Sequence, residues 1–590
     1  MARRGLAVIF TLLGIAVFVS FVGLAAMYFL VGRPPSVPSN AVLTMSVGGD
    51  LAELPPSDVV AYLRGARTPT VRSIVDDLRK AKVDGRISAV MLKLTGFSTP
   101  YWGKLQEIRD ALIDFRTSKK PVYAYLEAGS DRDYYVATAA DKVFLMPTSP
   151  LDLTGMAQYE VFLRGLLDKF GVYPDLHHIG EYKTFSNTFT QKGFTQAHRE
   201  MDMSMTKDLF DQVVRGVATG RGKTETDVRT LVDQGPFLPK EAKNAGLIDD
   251  LAYEDQVLGK LREAKPNATR SIEDDDYARI SLSSLGLNRG PRIAVIYFAG
   301  AIASGKNGYD PLEGATIGSD TLIDYIRKVR KDSSVRAIIL RIDSPGGSAA
   351  ASDAIWRELM LAKKEKADRP IIASMSDLGA SGGYYIAVPA EAIVAQPSTL
   401  TGSIGIVGGK FVTGGIYEKL GASLDSVSIG KNAEMNSPIR PYNQNELKKV
   451  DEQLQAFYDD FVAKVADSRH KTPEEIDRIG QGRVWTGQQA KAIGLVDALG
   501  GLDRAVAVAK ERAKIPGNSD VELVTYPSPK TFYELLSDQI SGNSDSAVIG
   551  NWLKANLSSS QFDVLRAARG PAALFRRGEP LALMPVQYLR

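Results

Sequence analysis

The sequence predicts an α/β protein built from two tandem copies of one unit, each with stacked parallel strands covered by helices, behind a single N-terminal membrane helix. Three observations carry this expectation. An uncharged apolar stretch runs from Leu6 to Val31. Short segments recur in the same order about 250 residues apart. Within each copy, apolar runs rich in β-branched residues alternate with stretches of helical periodicity, the pattern of parallel strands joined by crossover helices.

The 26 residues from Leu6 to Val31 are long enough, at 1.5 Å per residue, to cross a hydrocarbon core of about 30 Å. The apolar stretch of a cleaved signal peptide is only about 7–15 residues, so residues 1–31 are expected to be a retained anchor. Arg3 and Arg4 precede the helix while only Arg33 closely follows it, which places the N-terminus in the cytoplasm and the body across the membrane. Residues 32–40, rich in proline and polar residues, form a tether.

The body reads as a duplication. Tyr134–Pro147 (YYVATAADKVFLMP) resembles Tyr384–Pro397 (YYIAVPAEAIVAQP), an offset of 250. Ala89–Leu94 with Ala337–Ile342, Ile179-Gly180 with Ile429-Gly430, and Glu241–Leu247 with Gln489–Leu495 keep nearly the same spacing. The expected domains are residues 41–264 and 290–526, joined by a polar linker at 265–289 containing the acidic stretch Ser271–Asp276. Residues 527–590 form an extension that matches no motif.

Composition narrows the function classes. With 44% apolar and 24% charged residues the 590-residue chain has ample core for two domains. A net charge of +3, without a basic run interleaved with aromatics, argues against a nucleic-acid partner. Zero cysteines exclude a thiol nucleophile and cysteine-containing zinc sites. The four histidines, His177, His178, His198 and His470, have no metal-ligand spacing, so no metal or cofactor is expected.

The two copies differ where chemistry would sit. After matching strands the second has Asp343-Ser344-Pro345-Gly346-Gly347-Ser348 and the first Thr95-Gly96-Phe97-Ser98-Thr99-Pro100. At the next junction Ala380-Ser381-Gly382-Gly383-Tyr384 stands opposite Ser130-Asp131-Arg132-Asp133-Tyr134. The surrounding pattern survives in the first copy without these motifs, so the fold itself does not demand them. A serine nucleophile needs a base, exposure, and donors for the oxyanion. Ser381 falls at a strand-to-helix junction where the Gly382 amide can face an anion, and Gly347, lacking a Cβ, can bring a second amide close. Conversely, Lys183 in Gly180-Glu181-Tyr182-Lys183 falls opposite Ala433, so one copy holds the serine and the other a lysine. A lysine serves as a base only if burial or a nearby cation lowers its pKa from about 10.4. Gly405–Lys410 (GIVGGK) lacks the first glycine and the hydroxyl residue of a phosphate loop.

At SPGGS and ASGGYY the sequence resembles the Clp protease/crotonase-like superfamily, and residues 40–525 resemble its duplicated serine peptidases of the signal peptide peptidase A (protease IV) family. The resemblance implies Ser381 as nucleophile, Lys183 in GEYK as general base, and Ser403 in Leu400-Thr401-Gly402-Ser403-Ile404-Gly405 as the hydroxyl that orients the lysine. It further implies a homotetramer, extended hydrophobic peptides such as cleaved signal peptides as substrates, and residence in a bacterial inner membrane with lipid around the anchor. Two other readings compete: a crotonase-type acyl-CoA enzyme, which would share the oxyanion hole but needs a nucleotide site, and an inactive membrane scaffold.

Overall fold

The computed structural model describes residues 14–15, 18–20, 22–23, 35–54, 69–310, 314–528, 580–585 and 588–589. The expected anchor lies almost wholly outside these residues, and no helix among the described residues is long and apolar enough to cross a membrane.

Each copy is built on its own largely parallel sheet. In the first the order is Arg270–Glu273, Ala41–Gly49, Ile87–Phe97, Val122–Leu126, Lys142–Leu145 and Asp250–Leu251. In the second it is Val484–Thr486, Leu400–Gly402, Ile371–Ala380, Val335–Ser344, Arg292–Ala299 and Glu522–Tyr526, with Ala392–Ala395 also pairing beside Ile371–Ala380. Helices cover both faces, so the inner strands are continuous apolar runs. All ten residues of Ile371–Ala380 are buried. The strand runs to Ala380, directly before Ser381.

The stretch 265–289, expected as a linker, is ordered structure of the first copy. Arg270–Glu273 pairs in parallel with Ala41–Thr44, and Tyr277 is fully buried. The buried Lys80 amine donates to the carbonyls of Tyr277 and Ile280, both at 3.0 Å. The second copy closes in the same way, with Glu522–Tyr526 parallel to Arg292–Ile296. Polarity suggested a connector because edge strands carry polar residues on their open side.

The copies pack against each other through apolar side chains. Leu378, Ala380, Leu400 and Val484 of the second copy pack into the apolar cluster of the first. Helix Gly103–Arg116 is wedged between them, its first seven residues buried. The polar groups so trapped are paired. The Arg341 guanidinium, 1% exposed, donates to Glu53 at 2.8 Å and Glu107 at 2.7 Å, and the Lys104 amine meets Asp343 at 2.8 Å. A Cβ on Gly103 would lie 2.9 Å from the Ser376 carbonyl oxygen, so the first copy rests directly on the strand that leads to Ser381.

A further sheet runs across both copies: Gly308–Asp310, Gly314–Gly318, Ala301–Ala303, Gly346–Ser348, Leu581–Leu583, Ile406–Val412 and Tyr173–Ile179. Tyr173–Ile179 of the first copy pairs antiparallel with Ile406–Val412 of the second over seven residues. This pairing carries the Gly180–Lys183 turn into the second copy.

Candidate active site

Ser381 sits between strand Ile371–Ala380 and the short helix Gly382–Ala387 with φ +54°. This conformation is uncommon for a residue with a side chain and costs of order 1–3 kcal/mol. It is held by Ser381 N donating to Gly402 O at 2.8 Å and Tyr385 N donating to Ser381 O at 2.8 Å.

Lys183 arrives from the other copy. Its Nζ lies 2.7 Å from Ser381 Oγ and 3.0 Å from both the carbonyl and hydroxyl oxygens of Ser403. All three residues are fully buried. Burial alone holds the Lys183 amine well below the ordinary lysine range, because the cation would lose its hydration without gaining a carboxylate. Ser403 is itself at φ +49°, its amide donating to Arg483 O at 2.7 Å.

The lysine turn is cradled by a segment that sequence reasoning missed. Tyr182 N donates to Gln481 O at 2.7 Å. Gly482, at φ +77°, approaches so closely that a Cβ there would lie 2.4 Å from Lys183 N. Reciprocally, a Cβ on Gly180 would lie 2.5 Å from the Gln481 carbonyl carbon. Gly482 follows no recognisable motif, and only its contact across 299 residues of chain gives it meaning.

The two glycine motifs meet. A Cβ on Gly346 would lie 2.8 Å from Gly382 N, and a Cβ on Gly382 would lie 3.2 Å from Gly346 Cα. Gly346 N donates to Ser344 Oγ at 3.2 Å. Gly347, at φ +154°, presses on strand Ala301–Ala303, where a Cβ would lie 2.0 Å from Ile302 O. Thus Ser381, Lys183, Ser403 and Gly382, with Gly347 next to the Gly346–Gly382 contact, all converge.

The C-terminal extension enters the same place. Leu581–Leu583 runs antiparallel to Gly346–Ser348, pairing Gly347 with Ala582, and its Leu581 pairs with Val407 on the other side. Met584 N donates to Pro345 O at 3.0 Å and Ala349 N to Pro580 O at 3.2 Å. The Ala582 carbonyl oxygen would be 3.2 Å from a Cβ on Gly382, so it lies beside both glycine motifs. Side chains alternate as in any strand: Leu581 and Leu583 enter an apolar cluster with Leu163, Leu176, Phe185 and Phe189. The cleft is one strand wide, with backbone on both sides and an apolar floor.

In the first copy Asp131 holds the position of Ser381. Its carboxylate accepts from the amides of Thr154 at 3.1 Å and Gly155 at 3.3 Å, and burial pushes it up to about 6. Of the histidines, His178 meets the Ser186 hydroxyl at 3.2 Å rather than Ser381. His177 lies 3.0 Å from Asp175, and His470 caps helix Gln444–Arg469 at φ +54°. Glu160, His198 and Asp202 form a buried cluster whose ligand atoms lie within 4.8 Å of one another. The spacing of histidines alone gave no sign of it.

Comparison with known proteins places the chain in a family. The family model described as peptidase family S49 matches twice, over residues 114–267 and 363–516, together about half the chain. The chain is 36% identical over 520 residues to the chloroplastic serine protease SPPA of Arabidopsis thaliana, covering 87% of this chain and 74% of that protein. It is 35% identical over 488 residues to protease 4 of Salmonella typhi, covering 80% and 76%. Protease 4 of Haemophilus influenzae is 28% identical over 558 residues, covering 88% and 87%. A duplicated α/β body, a serine and a lysine from opposite copies in contact, and these likenesses lead to one conclusion: the chain is a serine-type peptidase and belongs to peptidase family S49.

Proposed function

We propose that this chain is an endopeptidase working through a Ser381/Lys183 dyad. The observation that carries the reading is the 2.7 Å contact between Lys183 Nζ and Ser381 Oγ, made by a fully buried amine with no carboxylate partner. A neutral amine is a base, and Ser403, bonding Nζ through two oxygens, orients its lone pair toward the hydroxyl. The Ser381 proton passes to Nζ as Oγ forms a bond to the scissile carbonyl carbon. The amides of Gly347 and Gly382 receive the resulting oxyanion. The C–N bond then breaks, and the leaving amine takes the proton from Nζ. A water next attacks the ester, giving its proton to Nζ; the bond to Oγ breaks and the serine regains its proton.

The substrate class follows from the cleft. A slot one strand wide, bounded by Gly346–Ser348 and Ile406–Val412, suits an extended peptide, with main-chain hydrogen bonds for affinity and the apolar cluster of Phe185 and Phe189 favouring alternate apolar residues. Cleaved signal peptides have this character, and the apolar stretch at Leu6–Val31 would hold the enzyme beside them in a bacterial inner membrane, the body on the outer side. The family resemblance implies a homo-oligomer, for which a tetramer is the proposed state. The test is mass spectrometry after reaction with an electrophilic serine probe. Label on Ser381 that disappears in both Ser381→Ala and Lys183→Ala is the expected result; wild-type label elsewhere overturns the dyad.

A further inference from the structure

Away from the dyad, a histidine and two carboxylates are set as metal ligands are set. His198 and Asp202 lie one turn apart on helix Gln196–Arg221, on the same face. Glu160 directly follows strand Gln158–Tyr159 and joins them, so that one ligand atom from each residue falls within 4.8 Å of the other two. The side chains are enclosed: His198 is 0% exposed, Glu160 3% and Asp202 8%. His198 Nε2 lies 3.0 Å from a Glu160 carboxylate oxygen and 3.5 Å from an Asp202 oxygen, yet makes no aligned hydrogen bond among the described residues. Zinc–ligand bonds of about 2.1 Å at tetrahedral angles place neighbouring ligand atoms about 3.4 Å apart. The two observed separations straddle that value. Two carboxylates withdrawn from water carry a desolvation cost, which a dication between them offsets.

We infer that Glu160, His198 and Asp202 form a structural site for a divalent transition cation of the zinc class. One imidazole nitrogen with two carboxylate oxygens suits zinc, and disfavours calcium and magnesium, which take oxygen ligands. The surroundings hold each ligand in place. Gln158 Nε2 donates to the other Glu160 oxygen at 3.3 Å, and Thr206 Oγ1 donates to Gln158 Oε1 at 3.0 Å. The Phe194 and Phe162 rings stand edge-on to the imidazole, with centroids 4.9 and 6.2 Å away. The Asn187 side-chain amide is 3.4 Å from His198 Nδ1; with its oxygen turned there it accepts from Nδ1–H and leaves Nε2 as the ligand atom. Enclosure keeps a peptide from the ion, so the ion serves the fold and takes no part in cleavage. It ties strand Gln158–Tyr159, which pairs with Tyr588–Leu589, to the helix. The same helical turn carries Glu200, which accepts from Tyr182 Oη at 3.3 Å and from Arg483 at 2.9 Å, so the ion braces the helix beside the lysine turn. Histidine spacing predicted no metal because two of the three ligands are carboxylates and one comes from another element.

The proposal stands apart from the dyad, so its test reads metal rather than peptide cleavage. Full-length protein without an affinity tag, purified in detergent and stripped with a chelator, is equilibrated with Zn2+, and bound metal is counted by plasma mass spectrometry. One Zn2+ per chain is expected in wild type, His177→Gln and Lys183→Ala, and none in His198→Gln or Asp202→Asn, each shown by circular dichroism to be folded. Zn2+ at about 100 times its dissociation constant should raise the folding equilibrium constant about 100-fold, read as a higher midpoint of thermal unfolding, in wild type and in neither ligand variant. Zinc-edge X-ray absorption on wild type needs no variant and should show a single imidazole ligand. No uptake by wild type, uptake that persists in the folded ligand variants, its loss in Lys183→Ala, or two imidazoles on the ion overturns the proposal.

Discussion

Replacing Gly482 by alanine should disable the enzyme without touching any reacting group. A Cβ at Gly482 would lie 2.4 Å from Lys183 N and 2.6 Å from both its Cα and Cβ. Ordinary contact begins near 3.4 Å, so the lysine turn must retreat by about 1 Å, and because the clash is with backbone no side-chain rotation relieves it. The Lys183–Ser381 distance of 2.7 Å would then open to about 3.7 Å, outside the hydrogen-bond reach of a general base. A displacement of this size costs about 100-fold in rate. The left-handed conformation at φ +77° adds about 1–2 kcal/mol of instability. Gly222 separates the two effects. It sits at φ +61° beyond helix Gln196–Arg221 with open space where a Cβ would go, so Gly222→Ala should lose the same stability and keep full activity. The assay is kcat and KM on a fluorogenic apolar peptide, with thermal unfolding alongside. Wild-type kcat in Gly482→Ala, or equal losses of kcat in both variants, would refute the idea that this glycine sets the position of the base.

Four other outcomes are expected. Because burial lowers the Lys183 pKa, the amine is neutral and active above that pKa and protonated below it, so kcat/KM should fall tenfold per pH unit on the acid side; an acid limb that is lost in unfolding rather than in the activity of folded enzyme would remove lysine as the base. Ser403→Ala deletes one hydrogen bond to Nζ, worth about 1 kcal/mol, and should lower kcat about fivefold with KM unchanged in steady-state kinetics. Arg341→Ala leaves Glu53 and Glu107 buried without the guanidinium that bridges them, which should cost about 3–5 kcal/mol in denaturant unfolding, whereas removal of an exposed pair such as Lys449–Glu452 should cost under about 1 kcal/mol. Deleting residues 580–590 removes a tethered occupant of the cleft and should raise the labelling rate of Ser381 by roughly tenfold or more, since a tether supplies an effective concentration of order mM; an unchanged rate would mean that the strand does not shield the serine.

What the sequence determined by itself was whatever depends on local pattern or on comparison of the chain with itself. The two parallel-sheet units follow from periodicity, and the duplication from a repeat near 250 residues. Ser381 and the glycine motifs stood out because the first copy keeps the surrounding strands and helix without them. Lys183 was another matter: a lysine in a turn is ordinarily a solvated cation, and only resemblance to a family singled it out. Its character depends on what covers it, which is decided by partners 198 and 220 residues away. The same holds for Gly482, whose missing Cβ matters only once a backbone from the other copy lies against it. Arg341, Glu53 and Glu107 stand in no motif, and they form a buried network because one helix is trapped between two sheets. The polar stretch 270–277 looked like a connector and became an edge strand and a buried tyrosine. The C-terminal Leu581–Leu583 carries no motif, because strand pairing is made by backbone groups that every residue possesses, and sequence does not record which edge such a strand will find.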